Sequence, residues 1–329
     1  MSIIKNNLQY FMLVSIVAGL GNVYFTGGMT IGKNILVFIV ITFVIYPVMI
    51  DTKFEEIFAH FKEPRPIFCS LALNFLFSPL IGLILARIFF KDHPTFFIAL
   101  LLLSIIPTSS MSVAWTAFSG ARIATALYLI PLNIIFAAFI GLPFLFPFLL
   151  GDISLPNQEG MIKNVMIVFF VPLVIGDITR RILIRWKGTN YFNDRIKPNL
   201  GGISSIGVIV LIFLIMSLKR NTILLDNTSL VLWIVVPVFL YYFFLYIVSY
   251  IWTKFLIFQN GMAGAKAVVI IYTTVARHIN ISIAIALSTF PLEMSGQMIL
   301  FLIVAYIVQV PSLAFFSQRF GKDLSSIKG

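Results

Sequence analysis

Residues 107–133 read PTSSMSVAWTAFSGARIATALYLIPLN, and they place a proline and a cluster of hydroxyls deep inside a hydrophobic run. The preceding segment, FFIALLLLSII, is almost wholly apolar and would continue as a membrane helix. Pro107 stops it, because proline has no backbone N–H and its ring clashes with the carbonyl four residues back. Thr108, Ser109, Ser110 and Ser112 then offer side-chain oxygens to the backbone groups released by the break. In lipid a broken helix is tolerated only where it is buried in protein or lines a cavity. Secondary transporters use such breaks to hold substrates and ions. The simpler alternative is a kink, with the serines bonding back to their own helix.

Composition sets the class around this stretch. Of 329 residues, 60% are hydrophobic and 11% charged, and several apolar runs exceed the roughly 18 residues that mark a membrane span. Spans are expected at about 9–28, 34–50, 67–90, 95–118, 123–150, 161–184, 203–218, 229–256, 264–290 and 295–318. The chain is therefore read as an all-α polytopic membrane protein with ten transmembrane helices in one integral domain. Residues 51–66 carry Phe54, Ile57, Phe58 and Phe61 at helical spacing and are expected to lie on the membrane surface, ended by Pro64 and Pro66. The net charge of +11 does not imply nucleic acid, since basic residues of membrane proteins gather in cytoplasmic loops. With the N-terminus inside, most of the 23 Lys and Arg residues fall on the inner side, which puts both termini in the cytoplasm and the protein in the cytoplasmic membrane. Cys69, the single cysteine, forms no internal disulfide, and no cleavable signal peptide is expected. Asp177 and Arg181 read as a helix pair four residues apart.

Ten spans split into five and five, and an odd number per half makes any repeat inverted. Residues 1–150 would be the first repeat and 151–329 the second. The fourth span breaks at Pro107–Ser112, and the ninth is interrupted at TTVARHIN, residues 273–280. Pro131 and Asn133 in the fifth span match Gln309 and Pro311 in the tenth. Polar breaks at equivalent places in two halves point to a transporter site.

Arg277 is the most informative residue, because an arginine at the centre of a membrane helix costs about 2.5–3.5 kcal/mol on insertion scales. No Asp or Glu lies in the cores of the fourth, fifth, ninth or tenth spans. Its partner is either the carbonyls of the break or a visiting anionic substrate, and the substrate is the favoured reading. Thr108, Ser109, Ser110, His278 and Asn280 complete the expected substrate site, with His278 able to carry protons. Ser109, Ser112, Asn133, Thr274, Asn280 and Gln309 supply neutral oxygens for a sodium ion. The alternative for the amides is hydrogen bonding between helices. Nucleophile triads, phosphate loops and paired carboxylates are absent at membrane depth, so an enzyme is not expected.

These residues carry a resemblance. The third span, LALNFLFSPLIGLILARIFF, resembles the Leu-Asn-x-x-x-x-Pro helix of the arsenite-efflux, arsenical-resistance branch of the bile acid:sodium symporter superfamily. Pro107, Met111, Trp115 and Asn133 match that branch's Pro-Cys-x-x-Met-x-x-x-Trp run and its following Asn. SIAIALSTF and VQVPSLAFF resemble its ninth and tenth helices. The resemblance implies ten spans in inverted repeats, a panel of the first, second, sixth and seventh helices, and a core in which the fourth and ninth cross where they unwind. The branch's cysteine falls on Thr108, a poorer ligand for soft arsenic, and its two glutamates fall on Asn280 and Gln309. In the symporter branch, Pro-Gly-Gly becomes Pro107-Thr108-Ser109, and the ninth-helix glutamate has no acidic counterpart.

The expected function is thus secondary transport of a small organic anion across the bilayer, coupled to sodium or protons, by alternating access. Arsenite or oxyanion efflux and a non-transporting membrane ligand sensor are the alternatives. The chain is expected to work as a monomer or a homodimer.

Overall fold

The computed structural model describes residues 8–51, 63–151, 158–218, 228–259 and 261–327. In chain order the helices are α1 (Leu8–Thr26), α2 (Lys33–Asp51), α3 (Pro64–Phe89), α4 (Pro94–Ile105), α5 (Met111–Phe118) and α6 (Ile123–Leu150). They continue as α7 (Gln158–Lys187), α8 (Thr189–Met216), α9 (Thr228–Phe258), α10 (Gly264–Val275), α11 (Ile279–Thr289) and α12 (Leu292–Ser325). Among the described residues there is no strand, and six helices are long and apolar enough to cross a membrane: α2, α3, α6, α8, α12 and the Trp233–Phe258 part of α9. Every expected span falls on helix. The fourth covers α4 and α5, and the ninth covers α10 and α11, each pair separated by a short gap. α8 begins at Thr189, before the expected 203, because its first turns carry Arg195 and Lys197, which hide them from a hydropathy reading. The expected surface helix lies mostly in residues 52–62, outside the described residues. Pro64 opens α3 at its first position, where a missing N–H costs nothing.

Widened turns punctuate these helices, and prolines account for most of them. Segments Val40–Ile45, Leu73–Phe77, Ala137–Leu145 and Phe192–Ile196 have π geometry. Pro47, Pro79, Pro147 and Pro198 each stand two residues beyond such a segment. A proline removes one helical hydrogen bond and crowds the carbonyl four residues back, and a wider turn relieves that crowding without ending the helix.

α3 shows most directly why the chain belongs in lipid. Ser70, Asn74, Ser78, Gly82 and Ala86, spaced by four, are buried, while Phe68, Leu76, Leu80, Ile84 and Ile88 are exposed. This helix keeps its polar and small stripe inside and its large apolar stripe outside, the reverse of a helix on a water-soluble protein. The inward stripe carries two residues of the site described below.

By contacts the chain divides into two units. The first comprises residues 1–52, 154–233 and 280–303, within which α1 and α2 pack on α8, and α2 packs on α7. Small residues set these approaches, as is usual where lipid supplies no hydrophobic drive. A Cβ on Gly19 would lie 2.6 Å from Met216 Cβ, and one on Gly207 would lie 3.0 Å from both Cβ and O of Phe43. Tyr46 and Thr179 share a hydroxyl hydrogen bond of 2.8 Å, Asp177 pairs with Arg181 at 2.7 Å as expected, and Lys33 donates to the Phe290 carbonyl at 2.8 Å. At Gly176 of α7, a Cβ would meet Met49 Cβ at 2.7 Å and Ile50 N at 3.0 Å, so one neighbour is backbone and cannot give way. Gly176→Ala is expected to destabilise the protein by about 1–3 kcal/mol, whereas Gly21→Ala, with nothing within 4 Å, should leave it unchanged or slightly more stable. Thermal unfolding of both variants in detergent checks this, and equal midpoints would refute the packing argument.

The second unit comprises residues 53–153, 234–279 and 304–329. α3 packs on α4, and α10 packs on α3, α5 and α6. The close approach of α3 to α4 is again a glycine's: a Cβ on Gly82 would lie 2.7 Å from Ser104 Cβ. Glu63 ties the starts of three helices at one end of this unit, accepting from Arg122 at 3.0 Å and pairing with Lys266 at 3.1 Å. Burial pushes its carboxyl up, but the Lys266 ammonium and then the Arg122 guanidinium outweigh that and hold it below the usual value.

Candidate functional site

The two breaks meet inside the second unit. Each helix end leaves backbone groups without intrahelical partners, and here the breaks satisfy one another. Ser109 N–H donates to the Ala276 carbonyl at 2.8 Å, and His278 N–H donates to the Pro107 carbonyl at 2.9 Å. Thr108 and Arg277 thereby form an isolated antiparallel bridge between the ends of α4 and α10. The hydroxyls add to it: Thr108 Oγ1 and Ser112 Oγ are 2.7 Å apart, and Ser112 Oγ donates to the Tyr272 carbonyl at 3.2 Å. Separate half-helices with exchanged hydrogen bonds exclude a simple kink at Pro107.

Arg277 is the largest fully buried side chain, with 1% of its surface exposed. Its Nε donates to Tyr241 Oη at 3.1 Å, and its Nη1 donates to Asn74 Oδ1 at 2.8 Å and to the Ile106 carbonyl at 3.5 Å. Nη2 donates to Ser78 Oγ. Ser78 in turn donates to the Ser104 carbonyl at 2.8 Å and lies 2.8 Å from Tyr241 Oη. With the Ser78 proton committed to Ser104, Tyr241 is the donor of that pair. Donation therefore runs from the guanidinium through Tyr241 and Ser78 to the C-terminal end of α4. A helix C-terminus carries roughly half a negative charge, which partly balances the arginine, and no carboxylate takes part in these contacts.

Gln309 holds the same residue by its backbone. Its Oε1 accepts from Arg277 N–H at 2.8 Å and from Tyr242 Oη at 2.9 Å, and its Nε2 donates to the Arg277 carbonyl at 3.3 Å. Both polar groups of one unwound peptide residue are thus paired with one amide side chain, which meets the requirement that buried backbone groups find partners.

The other expected residues are dispersed. Thr108 and Ser109 are buried at the crossing, and Ser110 beside them is exposed. His278 is buried and contributes its N–H to the bridge. Thr274 Oγ1 folds back onto the Ile270 carbonyl at 2.8 Å. Asn133 joins the guanidinium network through α3, donating to Ser70 Oγ at 2.9 Å and to the Leu129 carbonyl at 2.7 Å, while Asn74 Nδ2 donates to the Ser70 carbonyl at 2.9 Å. Asn280, half-buried, belongs to the first unit. Among the described residues no group of three His, Cys, Asp or Glu could hold a metal ion. Asn74, Ser78, Tyr241 and Tyr242 were not foreseen as site residues. The four-residue spacing of Ser70, Asn74 and Ser78, and two adjacent tyrosines in an apolar helix, were the available signals.

A buried cation at paired helix breaks, in a chain of long apolar helices, is an arrangement found in membrane transport proteins, and sequence comparison gives the family. The model of the Sodium Bile acid symporter family matches residues 38–226, more than half of the chain, and the chain belongs to that family. It is 24% identical over 290 residues to the arsenical-resistance protein Acr3 of Alkaliphilus metalliredigens, covering 84% of this chain and 79% of that protein. It is also 24% identical over 277 residues to Acr3 of Corynebacterium glutamicum, covering 81% and 73%. An uncharacterized transporter of Synechocystis is 22% identical over 299 residues, covering 84% and 76%. The protein is a multi-pass membrane transporter of the bile acid:sodium symporter and Acr3 type.

Proposed function

We propose that this chain is a secondary active transporter of the cytoplasmic membrane that carries a small organic anion, coupled to sodium or protons, by alternating access. The observation that carries this reading is Arg277, a buried guanidinium at the crossing whose contacts are all to neutral oxygens. Its charge is only partly balanced by a helix end, and an anion entering beside it completes the balance. A burial cost of this size is retained in membrane proteins at substrate and ion pathways. Co-transport of a cation with a monoanion moves no net charge, which removes the roughly 2.3 kcal/mol per charge that a 100 mV potential imposes.

The same reading places ten spans in inverted repeats over 1–150 and 151–329, with both termini cytoplasmic. In its favour, the breaks interrupt the fourth and ninth expected spans, and the first, second, sixth and seventh fall in one contact unit. Counterflow in proteoliposomes tests the function: preloaded monocarboxylates should accelerate uptake of the labelled compound saturably. Absence of saturable exchange for every organic anion tried would sink it and favour a sensor. A second reading, efflux of arsenite, is favoured by the printed names of the two Acr3 relatives. Thr108 standing at the branch's cysteine position weighs against it, and growth of an arsenic-sensitive strain expressing this chain separates the two.

A further inference from the structure

The oxygens around Arg277 form what a bare monovalent cation would ask for. Asn74 Oδ1 and Ser78 Oγ come from α3, Tyr241 Oη comes from α9, and the Ile106 carbonyl comes from the end of α4. All are neutral, and the last lies at the negative end of a half-helix, where secondary transporters coordinate their coupling cations. A guanidinium occupies the centre. Three of the residues expected to bind sodium meanwhile hold other partners: Gln309 the Arg277 backbone, Thr274 its own helix, and Ser112 Thr108 and the Tyr272 carbonyl.

We infer that the Arg277 guanidinium is a tethered cation filling the cage where a free coupling cation would otherwise bind, so that this transporter does not require sodium. This rests on the reading of Arg277 as the charge that recruits the anion, and it adds that the charge is permanent. The guanidinium is carried by the chain itself, so the cage is occupied whatever the sodium concentration. A sodium-driven relative must bind its cation before the crossing is electrostatically complete, whereas here the cation arrives with the chain. Accumulation of substrate would then be driven by protons, and without them transport would only run down the substrate's own gradient.

Truncating the arginine should expose the cage. In Arg277→Ala the Asn74 and Ile106 oxygens lose their guanidinium donor, and the helix end loses its cation. The test is the thermal unfolding midpoint of the purified full chain, without substrate, in sodium, potassium and choline chloride at equal ionic strength. The wild type should give the same midpoint in all three. Arg277→Ala should rise by about 2 °C or more in saturating sodium relative to choline, and also in millimolar ethylguanidine, through selective binding to the folded state. If the alanine variant does not fold, Arg277→Gln carries the same comparison.

A sodium-specific rise in the wild type overturns the proposal. So does a folded Arg277 variant that responds to neither sodium nor ethylguanidine. Because no substrate is present, these outcomes are independent of whether an organic anion is transported. Counterflow by the wild type gives a second readout: rates equal within about twofold in sodium and choline are expected, and a sodium requirement overturns the inference.

Discussion

Replacing Arg277 with Met is expected to weaken binding of the transported anion by at least about 30-fold, the lower end of the range for removing one partner of a buried, hydrogen-bonded charge pair. The fold should survive, because the cage residues hold one another. Ser78 remains bonded to the Ser104 carbonyl and to Tyr241, and Asn74 Nδ2 remains bonded to the Ser70 carbonyl. Asn74 Oδ1 does lose its donor from Arg277, but methionine also removes a charge that was costly to bury. Arg277→Lys keeps that charge and loses the planar fork that reaches Asn74, Ser78 and Tyr241 together, so its affinity should fall between the two. Titration of the purified variants with the anion found by counterflow makes the measurement. Unchanged affinity in Arg277→Met, in a protein that still unfolds cooperatively, would remove the substrate role of this residue.

Gln309 should be nearly as sensitive, for a different reason. Gln309→Leu leaves the Tyr242 hydroxyl without its partner and leaves the Arg277 N–H and carbonyl with only their local bonds, to the Val275 carbonyl and from Ile279 N–H. A buried polar group that loses its partner costs about 1–3 kcal/mol, so the midpoint should fall by about 2–4 °C. Gln309→Glu separates packing from charge. It has the same shape and can still accept from Arg277 N–H and Tyr242, but it cannot donate to the Arg277 carbonyl. It also sets a carboxylate against the residue whose positive charge recruits the anion. Anion affinity should drop about tenfold or more, with a smaller loss of stability than in Gln309→Leu. Full affinity in the glutamate variant would show that Gln309 is remote from the anion in the binding state.

Both predictions start from residues visible in the sequence, although their partners were not visible. The break at Pro107 is legible because a proline without an N–H, followed by hydroxyls, cannot continue an apolar helix. Arg277 is legible because burying an arginine in a membrane is costly wherever it sits. The crossing itself was implied by the resemblance at Pro107, Met111, Trp115 and Asn133, and the structure joins the two breaks at the Thr108–Arg277 bridge. The cage could not be read this way. Asn74 stands 203 residues from Arg277 in sequence and Tyr241 stands 36 away, and nothing local couples them. Neutral polar residues in apolar runs fit equally well as ion ligands, helix back-bonds or interhelical clamps. Thr274 proved to be the second of these and Gln309 the third.

Local chemistry along the chain is therefore enough to set the solvent, the helices and the places where they fail. Hydropathy, proline chemistry and the price of a buried charge act within one turn or one span, and they need no knowledge of neighbours. The tertiary structure alone decided which oxygens surround the guanidinium and which polar residues are already spent on backbone groups. Those choices depend on how distant helices approach, and that approach is set at contacts such as Gly82 against Ser104, where the absence of a side chain on one helix admits the other.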